Sequence, residues 1–149
     1  MAQTTGATTA RAATVAISPD NSSWTDISGF SNAVTGTQQD RTSGEAYTFD
    51  GDKAIVGVGK REPDEAAIKI VYTEGSTEPF SVLRAAFENA TPYYVRYTVK
   101  AATTGNKRYT SDVGYIISCP YPEVDSTSGD PVTVEFTFKT PGWTDALVP

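Results

Sequence analysis

The chain has 149 residues, the length of a single domain, and it is acidic, with 12 basic and 18 acidic residues and a net charge of −6. That sign of charge argues against a protein that holds nucleic acid through its phosphates. Histidine is absent, which excludes the commonest general base and the usual zinc ligand, and the single cysteine, Cys119, excludes an intrachain disulfide. We therefore expect neither an enzyme nor a cofactor.

The first part of the chain predicts an arm followed by short strands. Residues 1–13 are mostly Thr, Ala and Gly without an apolar run, so we expect a flexible N-terminal arm and neither a signal peptide nor a membrane span. Residues 14–18 predict a first strand, which a Pro-Asp-Asn turn at 19–21 closes. Residues 24–30 then fit a second, irregular strand.

A polar stretch separates these strands from a hairpin. Residues 36–44 contain no apolar side chain and have no core to join, so we expect a long exposed loop there. The Asp-Gly-Asp turn at 50–52, between two strand-like runs over residues 45–58, predicts a β-hairpin. Gly57 and Gly59 indicate a bulge or a close backbone approach in its second strand.

The middle of the chain predicts a strand, a helix and another strand. Residues 66–73 and 93–100 alternate apolar and polar side chains, as half-buried strands do. Between them, a Gly-Ser-Thr-Glu-Pro turn supplies hydroxyl groups able to cap a helix over residues 78–90, which ends before Pro92. The spacing of its apolar side chains predicts three core anchors, namely Phe80, Leu83 and Phe87.

The last part of the chain predicts two strands separated by a loop. Residues 109–119 predict one strand with an apolar face, and the proline-rich residues 120–131 predict a second long loop. The alternation over residues 132–139 predicts the last strand. Residues 142–149 remain as a C-terminal tail, which contains Trp143 and is too apolar to be left alone in water.

The acidic clusters do not have the spacing of a metal site. Asp50 and Asp52 flank a turn glycine, and the acidic loop at 123–130 lacks the spaced ligands, central glycine and terminal glutamate of an EF-hand loop. We expect solvated carboxylates at both places and no metal. Cys119 has no histidine to activate it, so we expect a buried, unreactive thiol.

These elements, taken together, resemble a known family. The hairpin at 50–52, the single helix between strands, the run GDPVTVEFTFK at 129–139 and the phrase SCPYP at 118–122 look like the major tail tube proteins of long-tailed, non-contractile phages, the lambda-like tail tube family. The resemblance covers residues 14–140.

The resemblance implies a mainly β fold, a β-sandwich or half-barrel with one flanking helix at about residues 78–90. The tube domain would cover residues 14–141, between the arm at 1–13 and the tail at 142–149. The protein would be a structural subunit, with neither catalysis nor cofactor, that forms homohexameric rings stacked into a hollow tube.

The resemblance also implies partners and a location. A tape-measure protein would fill the lumen, and tail terminator and tail-tip proteins would bind the ends of the tube. DNA would pass during ejection without specific binding, which an acidic wall favours because it repels phosphates. Assembly would take place in the cytoplasm of the host bacterium, without contact with a membrane, and the tube would belong to the virion.

In that family the loop after the early strands reaches a neighbouring ring, and the chain termini join the contacts between rings. The resemblance therefore implies contact residues in the polar stretch and in the tail, with the arm as a further participant. The inter-ring candidates are Gln38, Gln39, Asp40, Arg41, Thr42 and Trp143.

Two other functions fit the sequence. A monomeric carbohydrate-binding or adhesin-type β-sandwich could stack Trp24, Trp143 and Tyr121 on sugar rings. A tail-terminator or capsid decoration protein would also form rings, but it would cap a structure and not polymerise.

Overall fold

The computed structural model describes residues 3–149, so the first two residues of the predicted arm lie outside the described residues. A short 3-10 helix at Ala10–Ala12 precedes the strands. The strands are β1 (Thr14–Ser18), β2 (Thr25–Asp26), β3 (Ser31–Thr35), β4 (Arg41–Ala46), β5 (Ile55–Arg61), β6 (Asp64–Val71), β7 (Tyr94–Thr98), β8 (Lys107–Ser111), β9 (Tyr115–Ser118), β10 (Thr133–Thr140) and β11 (Trp143–Leu147), with the helix α1 (Pro79–Glu88) between β6 and β7.

Two antiparallel sheets enclose one core. One sheet has the strand order β11-β8-β7-β1-β2 and the other has the order β3-β6-β10-β9, while β4 and β5 form a separate pair. The predicted mainly β sandwich with one helix is confirmed. Buried residues from both sheets and from α1 form a single cluster.

Strands β6 and β10 form the centre of the four-stranded sheet. They pair along their whole length, from Asp64 opposite Thr140 to Val71 opposite Thr133. Alternate residues of each strand are buried, as the alternation in the sequence predicted, because only one face of the sheet meets the core. The inward side chains are Ala66, Ile68, Ile70, Val134, Phe136 and Phe138.

Helix α1 packs one face against the core. Leu83 is fully buried in the core, and the Phe80 ring meets Tyr72 edge-on with 4.9 Å between centroids. Phe87 is half-buried against the same core. The prediction that a hydroxyl group caps the helix is wrong, because the N-cap is Glu78 and its side chain instead accepts a 3.2 Å hydrogen bond from the Gly75 amide.

The single strand predicted over residues 109–119 is wrong, because the chain changes sheets within it. Strand β8 pairs with β7 and β11 in one sheet, and β9 pairs with β10 in the other. The crossing passes through buried Gly114, which bridges Tyr93 and has no room for a side chain: an added Cβ would lie 2.6 Å from the Phe138 ring. The apolar alternation continues through the crossing and so conceals it.

The residues after 142 are part of the sheet. Strand β11 pairs with β8 from Trp143 opposite Ser111 to Leu147 opposite Lys107, so the segment expected as a tail is an edge strand. The Trp143 side chain is only 6% exposed and joins the core.

Two findings limit the kinds of site available. Within residues 3–149, none of the helices has the length and apolar character that crossing a membrane requires. Over the same residues, Cys, Asp and Glu side chains do not gather in groups of three that would hold a metal ion.

Candidate assembly surface

The polar stretch at 36–44 is only partly a loop. It lacks regular structure through Asp40, but Arg41 to Gly44 belong to β4 and pair with β5, so the prediction of a loop over the whole stretch is wrong. The prediction assumed that a strand needs apolar side chains to bury. Backbone hydrogen bonds hold β4 instead, and these bonds need no apolar side chain.

The β4–β5 hairpin stands apart from the sandwich. Every residue of both strands is exposed, and the two strands form a sheet of their own. The predicted bulge is present: between the Arg41–Arg61 pair and the Ser43–Val58 pair, β5 has one residue more than β4. Gly59 lies there, and a Cβ on it would collide with the Thr42 side chain.

The hairpin exposes large apolar side chains to water. An isolated two-stranded hairpin is marginally stable at best, and apolar side chains without cover add no stability to it. Phe49 lies in the loop that joins the strands (residues 47–54, here the tip loop) and is fully exposed. The exposed residues are Tyr47, Phe49, Ile55, Val56 and Val58.

Both faces of the hairpin are apolar in part. Ile55 pairs with Ala46 on one face, whereas Val56 and Val58, opposite Glu45 and Ser43, lie on the other face. A hairpin covered by its own sandwich would need only one apolar face. This distribution fits a hairpin that lies between two other surfaces.

A buried carboxylate lies at the base of the hairpin. Asp64, the first residue of β6, is 4% exposed, and its Oδ2 atom finds no hydrogen-bond partner among residues 3–149. Burial raises the pKa of the Asp64 carboxyl, the neighbouring Asp40 carboxylate raises this pKa further, and Arg61 opposes the change. The hairpin therefore leaves the sandwich at a charged junction.

The inter-ring candidates Gln38, Asp40, Arg41 and Thr42 are exposed at this same junction. Gln38 donates to both carboxylate oxygens of Asp40, at 2.9 and 3.0 Å. The Arg41 and Thr42 side chains donate across the hairpin to the carbonyl oxygens of Gly59 and Lys60, at 3.3 and 3.4 Å, and so brace the bulge.

The other two candidates meet at the edge of the five-stranded sheet. The exposed side chain of Gln39 donates to the carbonyl oxygen of Trp143 at 3.4 Å. The Trp143 ring itself packs edge-on against Tyr97 and Phe138, with centroids 5.6 and 6.4 Å apart. Little of the indole is therefore left for a neighbouring molecule, whereas Gln39 remains accessible.

A groove opens where the two sheets separate beside the arm. We call it the arm groove. Its volume is about 230 Å³, and its lining is mainly apolar and contains no acidic side chain. It lies between the 3-10 helix, β1, β3 and β7, with Ala10, Ala13, Val15, Val34, Tyr97 and Val99 among its lining residues.

A second set of exposed apolar side chains lies around β9 and the proline-rich loop. Arg84 of α1 holds this loop, since its guanidinium donates to the carbonyl oxygen of Cys119 at 2.8 Å and to the Tyr121 hydroxyl at 2.9 Å. Cys119 is buried, and that burial raises the pKa of its thiol. The exposed residues of this patch, here the β9 patch, are Val113, Tyr115, Ile117, Tyr121 and Val124.

Neither the apolar hairpin faces nor the arm groove was predicted as part of a site. A signal for the hairpin was present, because residues 55–58 place apolar side chains at successive positions, without the alternation of a half-covered strand. The groove carries no such signal, since residues distant in sequence form it.

Neither a protein-family model nor a curated protein matches this sequence. Solved structures do match it. A chain of the sheath–tube complex of the PVC extracellular contractile injection system, in the extended state, has a TM-score of 0.76 and 16% identity, covering 97% of this chain and 94% of that chain. A chain of the tube-terminating cap of the anti-feeding prophage has a TM-score of 0.73 and 14% identity, with coverages of 99% and 95%.

A tail tube chain also matches this fold. The SPP1 tail tube matches with a TM-score of 0.58 and 17% identity, covering 91% of this chain and 77% of that chain. At these low identities the likeness establishes the fold alone. The chain has the fold of tail tube proteins and of the caps that terminate such tubes.

Proposed function

We propose that this chain is the structural subunit of a tail tube, in which homohexameric rings stack into a hollow tube that DNA crosses during ejection. The observation that carries the proposal is the β4–β5 hairpin, which exposes five large apolar side chains and needs cover from other molecules. The fold supports it, because matched chains come from a sheath–tube complex and a tail tube and cover nearly all of this chain.

The six-membered ring and the partners belong to this proposal. One matched chain comes from the tail of an empty gene transfer agent particle with C6 symmetry, which supports six copies in each ring. The tape-measure protein, the tail-tip protein, assembly in the host cytoplasm and a place in the virion follow from the same proposal. In this function the protein needs neither a catalytic residue nor a cofactor.

Electron microscopy of the purified protein tests the proposal. We expect rings or tubes of uniform diameter at high protein concentration, and sixfold symmetry in end-on class averages. Replacing residues 42–60 with a short Gly-Ser turn should abolish tubes and leave the sandwich folded. A matched control removes residues 123–128 from the proline-rich loop and should leave tubes intact. Monomers at every concentration would overturn the proposal.

The type of tail is a finer proposal. We propose a non-contractile tail, which the likeness to the SPP1 tail tube supports. A chain of a contractile injection system matches this chain with a higher TM-score. Particles purified from the native source should contain the tube without a sheath. A sheath protein that co-purifies in equal copy number would overturn this finer proposal and leave the tube function in place.

A tube-terminating cap is the second candidate, because the cap chain of the anti-feeding prophage has a TM-score of 0.73. A cap forms one ring and stops, whereas a tube subunit adds rings. Tube length as a function of protein concentration separates the two: a single ring at every concentration favours the cap, and lengthening tubes favour the subunit.

A further inference from the structure

We infer that Phe49, in the tip loop of the hairpin, inserts into the arm groove of a second copy of this chain, with Asp50 and Asp52 facing the basic rim of that groove. This inference rests on the proposed tube function and names the two surfaces that would join. Phe49 is fully exposed in its own chain, so its own groove does not hold it.

The groove has the size and chemistry for a phenyl ring. An apolar cavity of about 150 Å³ can bind benzene, and the arm groove has about 230 Å³. Tyr97 supplies an aromatic wall, and Ala10 and Ala13 contribute small side chains to the lining. A phenylalanine side chain buries a large apolar area, which makes Phe49 a suitable anchor.

The charges of the two surfaces are complementary. Asp50 and Asp52 flank the tip glycine, and both are exposed. Arg11 lies in the 3-10 helix between groove residues Ala10 and Ala13, and Lys100 follows the groove residue Val99. Within residues 3–149 none of these four charged side chains makes an ion pair, so all are available to a second copy.

Two bases, Arg11 and Lys100, adjoin lining residues of the groove in a chain whose net charge is −6. A neighbouring hollow, which Lys100 and Lys107 line, extends the positive region and contains no acidic lining residue. Lys107 is already paired with Asp145 at 3.1 Å, so Lys100 and Arg11 are the bases that remain for the tip. The seven residues of β5 give the hairpin a length of roughly 20 Å.

Cysteine cross-linking tests the contact directly. In a Cys119→Ala background, which removes the only native thiol, Thr48→Cys is combined with Ala10→Cys, so the Phe49 ring stays in place. After mild oxidation of assembled protein, we expect a ladder of covalent oligomers on a non-reducing gel, which dithiothreitol removes. Thr48→Cys combined with Ile117→Cys, in the β9 patch, is the matched control and should give no ladder.

Charge reversal tests the same contact with Phe49 intact. Asp50→Lys with Asp52→Lys should raise the protein concentration needed for tube formation by about tenfold or more. Adding Arg11→Glu and Lys100→Glu should restore most of the loss, since the attraction is rebuilt with opposite signs.

The outcomes separate this inference from the proposed function. If tubes form but the ladder appears with Ile117→Cys and not with Ala10→Cys, the inference is overturned and the tube function stands. The same holds if tubes form but the double charge reversal does not restore assembly. Wild-type protein that never assembles would overturn both.

Discussion

The guanidinium of Arg84 lies 4.3 Å from the centroid of the Tyr121 ring, so one helix side chain holds an exposed aromatic residue of the proline-rich loop. The same group donates hydrogen bonds to the Cys119 carbonyl oxygen and the Tyr121 hydroxyl, and its Nε atom pairs with Glu88 at 3.0 Å. Arg84 therefore joins α1, the end of β9 and the loop.

Arg84→Met should remove these bonds and keep much of the aliphatic packing. We expect a lower free energy of unfolding, because a charge-assisted hydrogen bond and a cation–π contact are lost. For a chain of this length the melting temperature should fall by about 3–6 °C. Calorimetry measures it, with Lys53→Met in the tip loop as the control. Equal melting temperatures for the two variants would contradict the role given to Arg84.

The parts of the fold that the sequence predicted are those in which local pattern and burial agree. Strand β6, helix α1 and strand β10 each bury one regular face, so their alternation or helical spacing identified them. The prediction failed where the chain passes between sheets, because no single regular face is buried there. Gly114 carries the chain from one sheet to the other, and a pairing change of that kind leaves no trace in apolar periodicity.

The polar inter-ring candidates from Gln38 to Thr42 lie at the base of the hairpin, and their contact with a neighbouring ring stays a prediction. The apolar residues further along the hairpin went unnoticed as a site, because an apolar run normally indicates a core. A monomer sequence does not distinguish a core inside one chain from a core shared between copies.

Asp64→Asn should stabilise the isolated protein at neutral pH. Burial holds the folded-state pKa of Asp64 above its ordinary value of 3.8, so the stability linked to its protonation is fully present below that value and is lost as pH rises through the folded pKa. The variant's side-chain amide is neutral, so it avoids this loss of stability at higher pH. We expect a gain of about 1 kcal/mol at pH 7, since an unpartnered buried charge costs at least that much.

Denaturant unfolding of wild type and Asp64→Asn between pH 4 and pH 8 checks this sign. The advantage of the variant should shrink as pH falls toward 4, because a carboxyl whose folded-state pKa is raised takes up its proton at a higher pH than it does in the unfolded chain. Asp130→Asn, in an exposed loop, is the control for the substitution itself. An advantage that grows toward low pH would refute the assignment.

Gly114→Ala should destabilise the fold. The added methyl group would lie 2.6 Å from the Phe138 ring in a buried position, so the core must shift to accept it. Overpacking of this kind costs about 1–3 kcal/mol. Gly129→Ala, where a Cβ meets no atom within 4 Å, is the matched control and should leave the denaturant midpoint unchanged. Equal midpoints for the two variants would contradict the close packing at the crossing.

Hydrogen exchange should separate the hairpin from the sandwich in the unassembled protein. Amides of β4 and β5 lie in an exposed two-stranded sheet and should exchange far faster than those of β6 and β10, which pair in the core. On assembly the hairpin amides should become protected, and the core amides should change little. Hairpin amides that stay equally fast in assembled protein would show that neighbours do not cover it.

The hairpin also determines the symmetry of any contact it makes. It is a protrusion, so in the contact we propose it meets a different region of the neighbouring copy. Such a contact is heterologous and unlike the self-complementary contact of a twofold dimer. Repetition of such a contact along an axis gives a structure with two unlike ends. A tube built through this hairpin would therefore be directional, with donor hairpins at one end and vacant acceptor surfaces at the other.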